Sequence, residues 1–558
     1  MRQKTSIDLP FPKLGLIEST ARREQPELSA YNVQNMRAFS PLSGRSRGAQ
    51  RAGIGKWSSA QIAGASGRIQ CLNHVVTIQA STEAQSSMQI RSTTAIAVNA
   101  GKIRKFTKTA SLTPTGVSDP DLLATAPFIM SEVMNQKVYF CDGTNYKKYD
   151  PATGTNGTVS AWTAATAGTI PANGADKPRL MATWNNRMVL SGIKSDPQNL
   201  FLSARGDPEN WDYNPTPNVA SQAVAFGTTE DLAKLPEPVM ALMPYNNDVM
   251  FVGLDHSIYA ISGDPMMGGQ VDLVSDITGV AFGRSWCKSP EGHLYFFGSR
   301  GGVYRMSPGS IPERITANRF EKRLASIDLD QHYVQLVWDD EAVGVRVFVT
   351  NLASYPSENF FYDVRNDGWF RDVFDNKDHQ PCAVHVFDGD DPGDRVIWFG
   401  GQDGYVRYPS AQWSSDDGTA IDSFVVFGPV QSEGGNVPFV VSELQAILDD
   451  VSDSVEWELA VGNSAEDAVF NAGGHVLQED GGRILLEDGL GYWLLEGAFS
   501  QGNATGTFSP TRSYIANPRR RGFAAYVKVG NSTLDEKWEM EYVRMVLSLV
   551  PTSKRRRL

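Results

Sequence analysis

HLYFFGSRGGVYRM, residues 293–306, is an apolar run, a tight turn built on Gly-Gly, and a second run with an aromatic at its centre. The same phrase returns as VYFCDGTNYKKYDP (138–151), VMFVGLDHSIYAISGD (249–264), NFFYDVRNDGWFRD (359–372) and RVIWFGGQDGYVRY (395–408). Asp-Gly, Asn-Asp-Gly and Gly-Gly accept positive φ cheaply, so each phrase reads as a β-hairpin. Five such hairpins recurring between 138 and 408 are the signature of a β-propeller. Further strand candidates at 75–78, 96–98, 187–191 and 199–203 bring the expected count to six or seven blades. A closed disc of this kind is usually a rigid holder, which points first to a scaffold.

Moving outward, residues 1–65 are polar, rich in Arg, Ser and Gly, and weakly periodic, as an extended arm ordered by a partner surface would be. The hairpin repeats occupy 66–415 and predict the propeller. Within them 152–176 reads as a loop or irregular outer strands, and 320–330 is the best helical pattern, with Leu324 and Ile327 on one face. From 416 to 558 the runs SVEWELAVG, FAAYVKVG and KWEMEYVRMVLSLVP alternate apolar and polar, predicting a separate β-sandwich or barrel. An acidic hairpin insertion is expected near 476–497, where Glu479-Asp480-Gly481 and Glu487-Asp488-Gly489 repeat. Soluble turns with no further role are the alternative reading there. The last residues include the basic run Lys554-Arg555-Arg556-Arg557.

The chain has 558 residues, 41% of them hydrophobic, enough for a sizeable core. Its net charge of −12 argues against tight coating of nucleic acid, which requires cations to replace counterions. Four cysteines lie far apart and suggest no disulfide framework, and no run of roughly 18–20 apolar residues predicts a membrane span. Synthesis in a reducing cytoplasm is the expectation.

Motifs for chemistry are weak. Gly44-Arg45-Ser46-Arg47-Gly48 fits a nucleophile-elbow pattern but lacks the flanking strand and helix. Cys71/His74 and Cys382/His385 form two C-x-x-H pairs, yet in strands positions i and i+3 face opposite ways, which disfavours zinc. The carboxylates of 388–394 lack the rest of a Ca²⁺ loop, and Ser414-Ser-Asp416-Asp-Gly418 matches only half of a sialidase Asp box. No catalytic, cofactor-binding or metal-binding residues are assigned, and a non-enzyme is expected. Trp338-Asp339-Asp340 and Trp369 are the candidates for an alternative receptor-binding or glycan-processing propeller.

Four stretches resemble the tail nozzle proteins of short-tailed bacteriophages, also called tail tubular or head-to-tail connector hub proteins. They are AYNVQNMRAFSPLSGRSRGAQRAGIGKW (30–57), LFLSARGDPENWDYNPTP (200–217), DITGVAFGRSWCKSPEGHLYFFGSRGGVYRM (276–306), and the ending with PRRRGFAAYVKV and WEMEYVRM. The resemblance implies a virion structural protein, made in the host cytoplasm and assembled as a homohexameric ring below the adaptor and portal. Such a ring supports fibres, spikes or a needle and passes genomic DNA during ejection without reading its sequence. Arg37, Phe39, Arg45, Arg47, Arg51 and Trp57 are then the expected adaptor-docking residues, aromatics and Arg being common interface anchors. The alternative is that this arm wraps its own propeller. Glu479, Asp480, Glu487 and Asp488 are the expected acidic channel lining, where like charge limits adhesion of phosphates within about 8–10 Å.

Overall fold

The computed structural model describes residues 4–549 apart from 65–66, 80–89, 173, 175, 228–232, 353–356, 391, 433–436 and 469–503. All five quoted phrases form hairpins; four supply the two middle strands of a four-stranded antiparallel meander, and 359–372 supplies the last two strands of another. In the 293–306 hairpin the strands Leu294–Phe297 and Val303–Met306 are joined through Gly301 and Gly302, at φ +81° and +94°. Leu294, Tyr295, Phe296 and Phe297 are all buried. Alternation is lost there because neighbouring blades cover both faces of the sheet.

The protein is a mainly β chain with a six-blade propeller arrangement. Six free-standing four-stranded sheets follow one another around an axis. Their innermost strands are Ile69–Gln79, Met130–Met134, Leu180–Trp184, Val239–Pro244, Trp286–Lys288 and Ala383–Asp388. A further four-stranded meander, 332–372, sits between the fifth blade and the last, its strand His332–Asp339 touching the inner strands of both. Its outer strand, Gly368–Asp372, runs on into a larger sheet. Apolar clusters are shared between adjacent blades, so that Trp57, Phe106, Phe387 and Trp398 join the first blade to the last.

The C-terminal strands build a second β unit of two facing sheets. Ser423–Gln431, Ala524–Asn531, Val455–Gly462 and Ala504–Phe508 extend the sheet that begins in the 332–372 meander. Arg512–Gly522, Phe439–Leu448 and Glu539–Leu549 form the other. Between them lie Val441, Leu444, Trp457, Leu459, Val527 and Met545.

Residues 1–65 are organised differently from the expected partner-seeking arm. Lys4–Pro10 pairs with Glu539–Leu549, and the hairpin Met36–Phe39/Ser46–Gln50 continues the same sheet. Val33–Gln34 bridges Gly368–Asp372 and Ser423–Gln431. Gly53–Lys56 is the fourth strand of the last blade. Partner surfaces do order this segment, but this chain supplies them. The expected helix at 320–330 is a single turn, Glu321–Ala325, with Leu324 buried; Phe320 gives it no side-chain cap.

Candidate functional site

Two places concentrate polar chemistry: the ring axis and the seam joining the propeller to the second β unit. At the axis, side chains alternate along each inner strand, sending every second residue toward the centre. Where those strands begin there is a mouth of about 700 Å3. Its floor holds Phe128 stacked on Tyr333, ring centres 4.1 Å apart, beside Phe282. Arg179, Asp255, Asp328 and Asp330 stand around it. Further along the axis a second cavity of about 310 Å3 is lined by Glu132, Thr183, Arg284, Trp286, Gln335 and His385 among apolar neighbours.

Arg284 and Glu132 form an ion pair beside this cavity, at 2.8 Å, and Arg284 also donates to the Ser131 carbonyl. Burial pushes the Glu132 carboxyl above its ordinary value, with Arg284 opposing the shift. His74, on the first inner strand, meets His385, on the last, with 2.7 Å between Nδ1 and Nε2. Burial lowers both imidazole pKa values, and His74 adds to the depression at His385. The two C-x-x-H pairs are therefore brought close by ring closure without making a four-ligand set. Cys71 contacts Ser131 Oγ, and Cys382 donates to the Gln380 carbonyl. No group of three metal-ligating side chains occurs among the described residues.

The seam is held by buried ion pairs. Arg37 donates from both terminal nitrogens to Asp372, at 2.7 Å each, with its side chain only 5% exposed. Burial alone would raise the Asp372 carboxyl; Arg37, then Arg51 and Arg346, hold it below the usual range instead. Arg51 grips Asp416 at 2.9 and 2.5 Å, Asn35 Oδ1 at 2.9 Å, and the carbonyls of Ala52 and Val373. One guanidinium thus ties the N-terminal segment, the exit of the last blade and the end of the 332–372 meander.

The six expected docking residues divide accordingly. Arg37 and Arg51 are buried within the chain, and Trp57 packs into the first-to-last blade cluster. Arg47 pairs with Asp449 and Glu539, while Phe39 lies under the Arg365 guanidinium. Arg45 is exposed. Arg37, Arg51 and Trp57 are thus engaged by the propeller and its flanking segments, and Arg47 by the second β unit. Glu479, Asp480, Glu487 and Asp488 lie outside the described residues.

Of the glycan-processing candidates, Trp369 is fully buried, Asp339 pairs with Arg346, and the Trp338 indole donates to Asp340. They do not converge on one pocket. Ser46 is an exposed strand residue with no helix after it, and Asp416 belongs to the Arg51 clamp. In the 388–394 loop, Asp388 and Asp390 face Arg91, and Asp394 meets Lys108. Sequence reasoning missed Glu132 and Arg284. The available signal was a carboxylate among Met130, Val133 and Met134 in an inner strand.

No protein-family model matches the chain, and no curated protein sequence matches it. Among solved structures, virginiamycin B lyase from Staphylococcus aureus is similar over 64% of this chain and 98% of its own, at 9% identity and a TM-score of 0.37. Raptor from Chaetomium thermophilum is similar over 66% of this chain and 30% of its own, at 10% identity and a TM-score of 0.39. Likenesses at this level carry no statement about activity. No helix among the described residues is long and apolar enough to cross a membrane.

Proposed function

We propose that this chain is a mechanical component of a short-tailed phage virion: a nozzle subunit that forms a ring below the adaptor, lets DNA out and supports fibres or spikes. The observation that carries the reading, beside the sequence resemblance, is the fusion of propeller and second β unit into one body. A single sheet runs from the 332–372 meander into the C-terminal strands. The N-terminal segment adds strands to that sheet, to the facing sheet and to the last blade. Such lacing suits a part that transmits load. In this reading the conduit lies between subunits and not along the propeller axis. Purified protein, alone and with its adaptor, is imaged by negative stain and weighed by native mass spectrometry. Rings are expected, and persistent monomers under both conditions count against the reading.

The mouth, with its aromatic floor and its carboxylates Asp255, Asp328 and Asp330, favours a second reading as a receptor-binding or glycan-processing propeller. Sugar released from host polysaccharide would establish that reading and displace the purely mechanical one.

A further inference from the structure

The mouth of the propeller axis is built by the same turns that decide the fold. Strands in a blade run antiparallel, so the loop entering the inner strand and the turn between the two middle strands lie on one face of the disc. The Asp-Gly turn after Lys137–Cys141 places Asp142 there, and the turn after Val249–Leu254 places Asp255. Asp328 and Asp330 come from the loop entering His332–Asp339, and Arg179 from the loop entering Leu180–Trp184. Phe128 and Phe282, both half-buried, precede the inner strands Met130–Met134 and Trp286–Lys288.

These carboxylates thus surround an opening of about 700 Å3, within the size range of ligand sites, with Arg179 as the only fixed cation in its described lining. His332 adds no charge: its Nε2 accepts from Asn351 at 3.3 Å while Nδ1 donates to the Asp328 carbonyl at 2.8 Å, which a neutral ring satisfies. Asp142 is saturated by the amides of Leu123, Thr144 and Asn145, and Asp255 meets the His256 ring at 3.0 Å. Asp328 accepts the Asp330 amide at 2.9 Å. The Asp330 carboxylate itself meets no donor among the described residues. Ser299 lines the mouth too, and its hydroxyl oxygen is buried without a partner.

Such a lining selects by charge and by shape. Like charges around a concave opening with apolar walls focus the field and draw counter-charge. Ionised carboxylates only accept hydrogen bonds. A neutral sugar, whose hydroxyls both donate and accept, would find few side-chain donors here, and an anion would be repelled. A cation on an apolar stem suits both halves of the lining, because rings favour the stem and the charge while carboxylates favour the charge. Exposed Leu123 and half-buried Ile327 and Leu329 widen the apolar part, as residues flanking such a side chain in a polypeptide would require.

We infer that the mouth is a docking site for a basic side chain, arginine or lysine, carried by a partner polypeptide with apolar residues beside it. Phe128 and Phe282 take the stem, and Asp328 and Asp330 take the charge. This goes beyond the nozzle reading and stands without it, since it rests on the mouth alone.

The test is saturation-transfer difference NMR of the full chain, with a short peptide carrying one arginine between two leucines as the probe. The same peptide with citrulline, close in shape and uncharged, is the control. The arginine peptide is expected to bind and the citrulline peptide to lose most of the signal. D328N/D330N changes two exposed positions and is expected to weaken the arginine peptide by about 2- to 30-fold. F128L is expected to weaken it by a similar factor of about 2- to 30-fold. R179Q, which removes the opposing cation, is expected to tighten it, and D272N, an exposed carboxylate on the outer strand Gln270–Ser275, to leave it unchanged. Should F128L fail to fold, the carboxylate and Arg179 variants carry the test. Equal binding of the citrulline peptide, unaltered affinity in D328N/D330N, or weaker binding in R179Q overturns the inference. So does displacement of the peptide by maltotriose, which would assign the mouth to a glycan. Free butylguanidine binding as tightly as the peptide would assign it to a small amine and overturn the polypeptide partner.

Discussion

Replacing Arg51 by methionine removes the guanidinium that joins three segments and leaves Asp416, itself 2% exposed at its side chain, without its cation. Breaking a buried pair from one side costs about 3–5 kcal/mol, because the remaining charge stays desolvated. Asp416 would keep only weak support, a 3.3 Å bond from the Ile54 amide. The amide oxygen of Asn35, the Ala52 carbonyl and the Val373 carbonyl would each lose a donor. For cooperative unfolding of 558 residues the melting entropy is about 1.2 kcal/mol/K, so the loss translates to roughly 3–4 °C in Tm. Scanning calorimetry measures it. The double variant R51M/D416L removes both charges and is expected to recover more than half of that shift, since apolar replacement of a whole buried pair is often close to neutral. If R51M melts within about 0.5 °C of the unaltered chain, or if the double variant is worse than the sum of the singles, the clamp is not holding the seam.

The His74–His385 contact makes the ring closure acid-sensitive. Burial depresses both imidazoles below their unfolded value of about 6.5, so the unfolded chain binds more protons and stability falls as pH drops below that value toward the folded pKa values. Asp388 pulls the other way at His74, with Arg91 opposing it, while Arg284 reinforces the depression at His385. Melting curves from pH about 7 to 5 should fall more steeply for the unaltered chain than for H74Q/H385Q, and parallel curves would refute the assignment. Gly15 holds a φ of +65°, and a Cβ there would sit 1.9 Å from the Trp369 carbonyl. G15A is therefore expected to lose more than about 1 kcal/mol by chemical denaturation, and an unchanged midpoint would mean that the N-terminal strand is not seated there. All four cysteines are buried, with burial pushing Cys71 and Cys382 up to about 11. Ellman's reagent at neutral pH should find no fast thiol until denaturant is added; rapid reaction in the native protein would contradict this packing.

The blades were legible because their turn chemistry is local. Asp-Gly, Asn-Asp-Gly and Gly-Gly specify hairpins without help from distant residues, and the four phrases that carry them became hairpins; 249–264 turns through Leu254–Ser257 without a glycine. The arm was misread because its order comes from long-range pairing. Gly53–Lys56 offers only a few residues of strand pattern and is made a strand by Val406–Ser410, some 350 positions away. The same holds for Arg37 and Arg51, which look like free interface anchors until Asp372 and Asp416 are seen beside them. The helix at 320–330 shrank to one turn because periodicity of two apolar residues cannot sustain a short helix without caps. At the axis, strand geometry turns Cys71 away from His74, yet ring closure joins His74 to His385, a contact that spacing within either C-x-x-H pair does not show.

This topology also orders assembly. The outer strand of the last blade is residues 53–56, so the ring cannot be completed until 395–410 have been made. Farther back, Val33–Gln34 waits for both Gly368–Asp372 and Ser423–Gln431, and Lys4–Pro10 waits for Glu539–Leu549, more than 500 positions later. These earlier strands are therefore seated only after the later ones they pair with have been made. Loop-closure entropy of that span must be met before any of these pairs gives a return. The benefit appears in the finished molecule: pulling the second β unit from the propeller must strip strands from three sheets and expose Arg37, Arg51, Asp372 and Asp416 together. Stiffness here arises from one segment shared by every part, and not from the ring alone.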